Sequence, residues 1–302
     1  MAETVASYSV PEHHVMMFTG NVRAVLHKRG GDIVARVSRG NYRGDKIQLV
    51  DYIGPVFFVE RNTIYGDTKL TELEHTSRWI SGTEYDCAVL IDRLDQLKMI
   101  YDPTSPYVER FREAAARKQD MIVMDKFFAN ARAGKDGTTD IAFPNADIVT
   151  HNAFTGMTVA KLRSLRKLIK KRHVDLRAYR PYIAVTAEQI DNLLGETSVN
   201  SIDYNNVKPL VNGEVTSFMG FEFVPFETYG NDAIPSHIDT ANTIRDCPVW
   251  VPDGMHFGMW DDLTILIGNR ADKNNIKQIH GTFTAGATRI EEGKVFQVQC
   301  KE

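Results

Sequence analysis

Three features of the amino-acid sequence point to an α+β chain. A basic, glycine-punctuated start without helical period runs into alternating strands, and one uninterrupted helical pattern follows Pro106. Short strands and helices then alternate before a final quarter patterned as β throughout, a mixture of separate rather than regularly repeating elements. At 302 residues the length suggests about two domains. Apolar residues make up 43% and charged residues 25%, an ordinary globular mixture that excludes a disordered tail, a collagen-like rod and a membrane bundle. No run approaches the ~18 apolar residues of a membrane span. The net charge of −3, from 36 Lys+Arg against 39 Asp+Glu, lacks the excess of a dedicated nucleic-acid binder.

The arm comes first. Arg23, Lys28, Arg29, Arg36, Arg39, Arg43 and Lys46 face only Asp32 and Asp45 between residues 23 and 46. With Gly30, Gly31, Gly40 and Gly44 between them, they read as an extended segment with short strands and no packed core. Ile47 and Leu49 then alternate with Lys46 and Gln48, Gly54-Pro55 interrupts, and Val56 to Val59 follow. That pattern predicts a hairpin over residues 46–65. Nothing adjacent in sequence supplies the rest of its sheet, and a lone hairpin is marginal in water. It therefore has to lean on another part of the chain or on a neighbouring subunit.

Thr83 and Asp86 make a capping-box-like start, and Leu90, Leu94, Leu97 and Tyr101 follow at helical spacing until Asp102-Pro103, which predicts a helix from 83. A second start has Ser105 as N-cap, Pro106 in the first position and Glu109 in the first turn. From there the pattern passes Val108, Phe111, Ala115, Ile122, Asp125 and Ala129 to Gly134. A helix of roughly 26 residues is about 40 Å long, an architectural beam in a chain of this size. Thr155 is expected to cap a helix with Val159, Leu162, Leu165 and Ile169 on one face and Lys161, Arg163, Arg166, Lys167, Lys170, Lys171 and Arg172 on the other. Residues 181–185 read as a strand, Thr186 starts a short helix that Gly195 stops, and 218–225 reads as one strand. Residues 259–267, 282–289 and 294–300 are the closing strands, the last cleanly alternating.

The local signatures of catalysis are missing: the sequence has no P-loop, Gly-x-Gly-x-x-Gly, Cys-x-x-Cys, His-Glu-x-x-His or Gly-x-Ser-x-Gly. One enzyme constellation can be assembled. His237, Asp239 and His280 could form a two-His-one-carboxylate Fe(II) face, with Arg289 for a keto-acid carboxylate. The same residues in a chain with nine histidines are easily met by chance. His13, His14 and His75 read as surface residues. The basic side of the 155–172 helix could meet phosphates or be merely solvated, and it has no interleaved aromatics for base stacking. Cys87, Cys247 and Cys300 are odd in number and far apart, which favours free thiols over a disulfide framework. With no signal-like start and no Asn-x-Ser/Thr sequon, folding in a cytoplasm is expected.

The order of elements, together with six short stretches, resembles the HK97-type fold of tailed-phage major capsid proteins. The stretches are Gly66 to Trp79 (GDTKLTELEHTSRW), Tyr85-Asp86 with Leu90 to Asp95 (LIDRLD), and Asp102 to Ser105 (DPTS). Gly134 to Thr139 (GKDGTT), Phe218 to Phe221 (FMGF) and Gly286 to Glu292 (GATRIEE) complete them, so the resemblance runs from about residue 15 to the end. It implies an N-terminal arm over 1–45 and an E-loop over 46–80 that reaches across a neighbour. It further implies a peripheral domain with the long spine helix over 81–145, an axial domain over 146–250, and peripheral return strands over 251–302.

The function so implied is structural: copies of the chain assemble as pentamers and hexamers into an icosahedral head around double-stranded DNA, in the virion. No catalytic residue, cofactor or metal is expected, and no membrane partner. A separate scaffolding protein, a portal and a decoration protein are possible partners, since the chain carries no long charged helical extension of its own. Covalent cross-linking is not predicted, because nothing selects a Lys–Asn pair among Lys46, Lys69, Asn274 and Asn275. An encapsulin-like nanocompartment shell and the Fe(II) oxygenase are the alternatives.

Overall fold

The computed structural model describes residues 30–54, 56–60, 70, 73, 75–91, 104–150, 155–176, 178–196, 217–227, 244–273 and 275–301. In chain order the first strands are β1 (Ser38–Asn41), β2 (Lys46–Ile53), β3 (His75–Ser81) and β4 (Thr83–Ile91), followed by the long helix α1 (Thr104–Phe128). Next come β5 (Ala131–Ala133), β6 (Thr139–Ile141), β7 (Ile148–Val149), α2 (Val159–Lys171), β8 (Tyr182–Val185) and α3 (Ala187–Leu194). The remainder is β9 (Ser217–Phe218), β10 (Phe221–Pro225), β11 (Ile244–Trp250), β12 (Met255–Arg270), β13 (Ile276–Arg289) and β14 (Val295–Lys301).

Three sheets result: β1-β12-β13-β4, β2-β3-β5-β6, and a six-stranded sheet β7-β14-β11-β8-β10-β9. The two long strands β12 and β13 form an antiparallel ribbon on which α1 lies. Four consecutive residues of α1, Met121 to Met124, are buried. At about 100° per residue they span the whole helix circumference, so this half of α1 is enclosed and not merely laid on a surface. One side is covered by the sheet through Phe257, Phe283 and Ala285, the other by Ile33, Val34 and Val37 of the N-terminal segment. The second core lies in the α/β part, where Leu162, Leu165 and Ile169 of α2 and Leu193 of α3 cover Ile183, Phe223, Val249 and Val298 of the six-stranded sheet.

The structure departs from the sequence expectations at several points, each with a physical cause. The hairpin does not turn at Gly54-Pro55: β2 pairs with β3, more than twenty residues on, with Ile53 opposite His75. Proline cannot donate to a ladder, so β2 ends there, and residues 56–60 run on without strand pairing. The rest of its sheet does lie in the chain, as β5 and β6. Residues 83–91 are a strand, not the start of a helix. Tyr85, Val89 and Ile91 turn inward while Leu90 points out, and β4 pairs with β13 over its whole length. Tertiary pairing outweighs the helical spacing, whose remaining members Leu94, Leu97 and Tyr101 lie outside the described residues.

The spine helix starts at Thr104, two residues before the expected first position Pro106, and ends at Phe128, because Ala131–Ala133 leaves to pair with β3. The cap of α2 is Thr158, whose Oγ1 accepts from the Lys161 amide, and not Thr155. Thr186 and Gln189 form the capping box of α3, with Gly195 at its end. The stretch 218–225 is two strands, turned at Met219 and Gly220 with φ of 53° and 85°, the left-handed pair that a two-residue hairpin needs. Residues 251–302 divide between sheets: β12 and β13 stay together, whereas β14 runs between β11 and β7. The expectation of an arm without a packed core fails at Ile33, Val34 and Val37, which are part of the largest core.

Candidate assembly surfaces

The N-terminal segment is held by one carboxylate. Asp120 is 1% exposed and accepts four backbone N–H groups: Gly31 and Asp32 on Oδ2, Ile33 and Val34 on Oδ1, at 2.6–3.2 Å. Those amides open the 3-10 turn Val34–Arg36, where a helix start leaves N–H groups without partners, so a negative charge belongs there. Gly30 makes the approach possible: a Cβ at this position would lie 2.2 Å from the Arg117 nitrogen of α1. Further on, Trp250 Nε1 donates to the Arg36 carbonyl at 3.0 Å. Sequence reasoning missed Asp120. Its signal was an acid directly before the apolar run Met121 to Met124 in the middle of a helix.

A second lock sits one turn further along the chain. Ser38 Oγ donates to the Met255 carbonyl at 2.7 Å, so its contact with His256 Nδ1 at 2.8 Å uses the imidazole proton. Nε2 then accepts from the Tyr42 hydroxyl at 2.7 Å. The imidazole is neutral, and burial pushes its pKa below 6.5. A folded state that resists protonation binds fewer protons than the unfolded chain, so stability is lost as pH falls below about 6.5. We expect acid to loosen β1 from β12 first, read as faster amide exchange at residues 38–42 at pH 5.5 than at 7.5, after correction for intrinsic rates. His256→Gln should flatten this difference, and an identical pH profile in that variant would remove His256 as its origin.

Apolar side chains stand out in solvent after β2. Phe57 is 72% and Phe58 fully exposed, with Val56, Val59 and Ile53 exposed beside them. A run of four such residues, with Ile53 at the end of β2 just before it, is more than scattered surface leucines. On the opposite side of the chemistry, α2 presents Arg163, Arg166, Lys167, Lys170 and Lys171 around an open groove of ≈ 480 Å³ with Met219. Lys161, by contrast, is buried and donates to the carbonyls of Thr155 and Gln299 at 2.6 and 2.7 Å. It ties α2 to β14, so it leaves the basic face that the sequence assigned it to.

The iron constellation is not assembled by what the structure describes. His237 and Asp239 lie outside the described residues, as do His13 and His14. His280 projects from β13 with Nε2 4.0 Å from Asp86 Oδ2, an exposed cross-strand pair. Arg289 is buried, and its guanidinium donates to the carbonyls of Phe127, Ala129 and Ile141. It closes the C-terminal end of α1 and offers nothing to a substrate carboxylate. Among the described residues no three His, Cys, Asp or Glu side chains are grouped to hold a metal, and no helix is long and apolar enough to cross a membrane. Cys247 and Cys300 are buried, and Cys87 is exposed.

Comparisons with known proteins fall on the same side. No curated protein sequence matches the chain. Among solved structures, it is similar to the capsid of cyanophage P-SCSP1u at TM-score 0.70 and 13% identity, covering 95% of this chain and 93% of that one. It is similar to Mycobacterium phage Che8 at 0.68 and 14%, covering 94% and 96%. The capsid of Helicobacter pylori bacteriophage KHP30 gives 0.69 at 9%, covering 95% and 96%. Identities this low establish the fold, which is the HK97-like capsid fold. The model of one family, described as phage capsid protein, matches residues 10–302; spanning nearly the entire sequence, that match places the chain in the phage capsid protein family.

Proposed function

We propose that the chain is the major capsid subunit of a phage head, assembling as pentamers and hexamers into an icosahedral shell around double-stranded DNA in the virion. In this reading residues 1–45 are the N-terminal arm, and 46–80 are the loop that extends over a neighbouring copy. Residues 81–145 are the peripheral domain and 146–250 the axial one, with β14 of the 251–302 return also serving the axial sheet. The observation that carries the reading is the apolar segment Val56 to Val59, which stands exposed among the described residues, in a protein of this family and fold. A second copy is the surface that removes it from water. The family and the fold favour neither an encapsulin-like compartment nor an oxygenase. A separate scaffolding protein, a portal and a decoration protein are the expected further partners, and assembly is expected in the cytoplasm of the host.

Negative-stain electron microscopy combined with size exclusion tests this directly. Closed shells, or discrete pentamers and hexamers, are the expected products of the purified protein. A uniform 34.1 kDa monomer at high concentration, unchanged by crowding agents, would contradict it.

A further inference from the structure

We propose that the solvent face of α2 is the surface through which this subunit binds the phosphate backbone of double-stranded DNA. The proposal rests on the reading above only for the identity of the polyanion.

The charge on this face is segregated. The protein as a whole carries −3, yet α2 contains no acidic residue, and Arg163, Lys167, Lys170 and Lys171 are all exposed. Arg163 and Lys171 are eight residues apart, about 12 Å along the helix, so the stripe covers a stretch of duplex that bears several phosphates. Arg166 stands between them and is fixed: its guanidinium donates to the Met219 carbonyl at 2.7 Å, the residue with φ of 53° in the β9–β10 turn. That bond makes the wall of the groove and leaves the remaining guanidinium hydrogens for an incoming acceptor.

Ordinary helix electrostatics does not account for the pattern. Cations in the last turn are favoured by the helix dipole, which explains Lys170 and Lys171. It does not explain Arg163, in the second turn, where the dipole gives a cation no support. The spacing is also unfavourable by itself: Arg163 with Lys167, Arg166 with Lys170, and Lys167 with Lys171 are like charges at i,i+4, which destabilise a helix. Among the described residues no carboxylate lies within ion-pair distance of Arg163, Lys167, Lys170 or Lys171. Arg172 differs, being paired with the buried Asp147 at 2.7 Å. With no aromatic side chain lining the groove, stacking on bases is not available, so the contact is to backbone and independent of sequence.

The test is a fluorescence-anisotropy titration of the full chain with a labelled 30-base-pair duplex of arbitrary sequence, between 50 and 200 mM NaCl. Four neutralised phosphates give a log–log salt slope near −3.6, an affinity loss of about 150-fold across that range. The variant Arg163→Gln, Lys167→Gln, Lys170→Gln and Lys171→Gln should flatten the slope by about 3.6 and bind more than about 1000-fold more weakly at 100 mM. A control that neutralises Arg43, Lys46, Lys135 and Lys273, exposed elsewhere, removes the same net charge and should change binding only a few-fold. If the fourfold variant fails to fold, the pair Lys170→Gln and Lys171→Gln should show about half the slope change.

Equal losses in variant and control, or unchanged binding in the α2 variant, would overturn the proposal. So would binding of poly-glutamate, but not of DNA, that depends on the same four residues; that result would assign the face to an acidic protein. Microscopy of the same samples separates this inference from the reading of the chain as a shell subunit. Shells that form normally from the α2 variant, with less DNA retained, support both. Shells with undiminished DNA leave the subunit reading standing and remove α2 from it.

Discussion

Replacing Phe57 and Phe58 by serine is expected to give a subunit that folds as before and no longer assembles. Both rings are exposed in the chain itself, so their loss should change the stability of the unassembled subunit by no more than about 0.5 kcal/mol. Burying each ring against a neighbour contributes about 2 kcal/mol. Losing the pair therefore weakens every such contact by about 4 kcal/mol, or roughly 1000-fold in the concentration at which shells appear. Size exclusion over a concentration series, beside a thermal melt of the unassembled protein, reads both numbers. Shells that form at the native concentration would show that Val56 to Val59 are not an intersubunit contact.

The second large effect is expected inside the subunit, at Asp120→Ala. The substitution deprives four backbone amides of their acceptor, two of them buried. Hydrogen bonds to a charged group contribute about 1.5–3 kcal/mol each when buried. Their shared acceptor makes the four less than additive, and about 4 kcal/mol is a reasonable total. That is a large part of the 5–15 kcal/mol of an ordinary domain. Asparagine should rescue little, because it turns one of the two oxygens into a donor facing N–H groups. Amide exchange at residues 31–34 and limited proteolysis between 30 and 41 would report the release of the segment. Native protection in the alanine variant would mean that Ile33, Val34 and Val37 alone hold it.

What the sequence made legible was the order of large elements and the strongly amphipathic ones. The beam after Pro106, the α2 and α3 faces and the alternation of β14 follow from local chemistry, and the six stretches carried the family. What escaped was set by partners far away in the chain. β5, β6, β7 and β9 are two or three residues long, too short for any periodicity, and exist because β3, β14 and β10 are beside them. β11 escaped because Pro248 argues against an interior strand; the structure tolerates it because β8 pairs only with Val249 and Trp250. Asp120 and Arg289 looked like ordinary charges, and their burial depends on backbone groups brought in from distances of 86 to 162 residues. The apolar loop was legible as a segment in need of a partner, but its turn was misplaced, since β3 had no strong strand signal of its own.

The position of β14 has a bearing on timing. Residues 295–301 fill the gap between β11 and β7, pairing Val298 with Cys247 and with Val149. Until residue 301 has been synthesised, the long sheet exists as two separate pieces with open edges, and Phe296 and Val298 are missing from the second core. Such non-local closure is slow, and open edges are prone to wrong pairing. A nascent chain therefore cannot complete this sheet before residue 301 has been added. The second core is completed in the same late step, by the strand that joins the two pieces of the sheet.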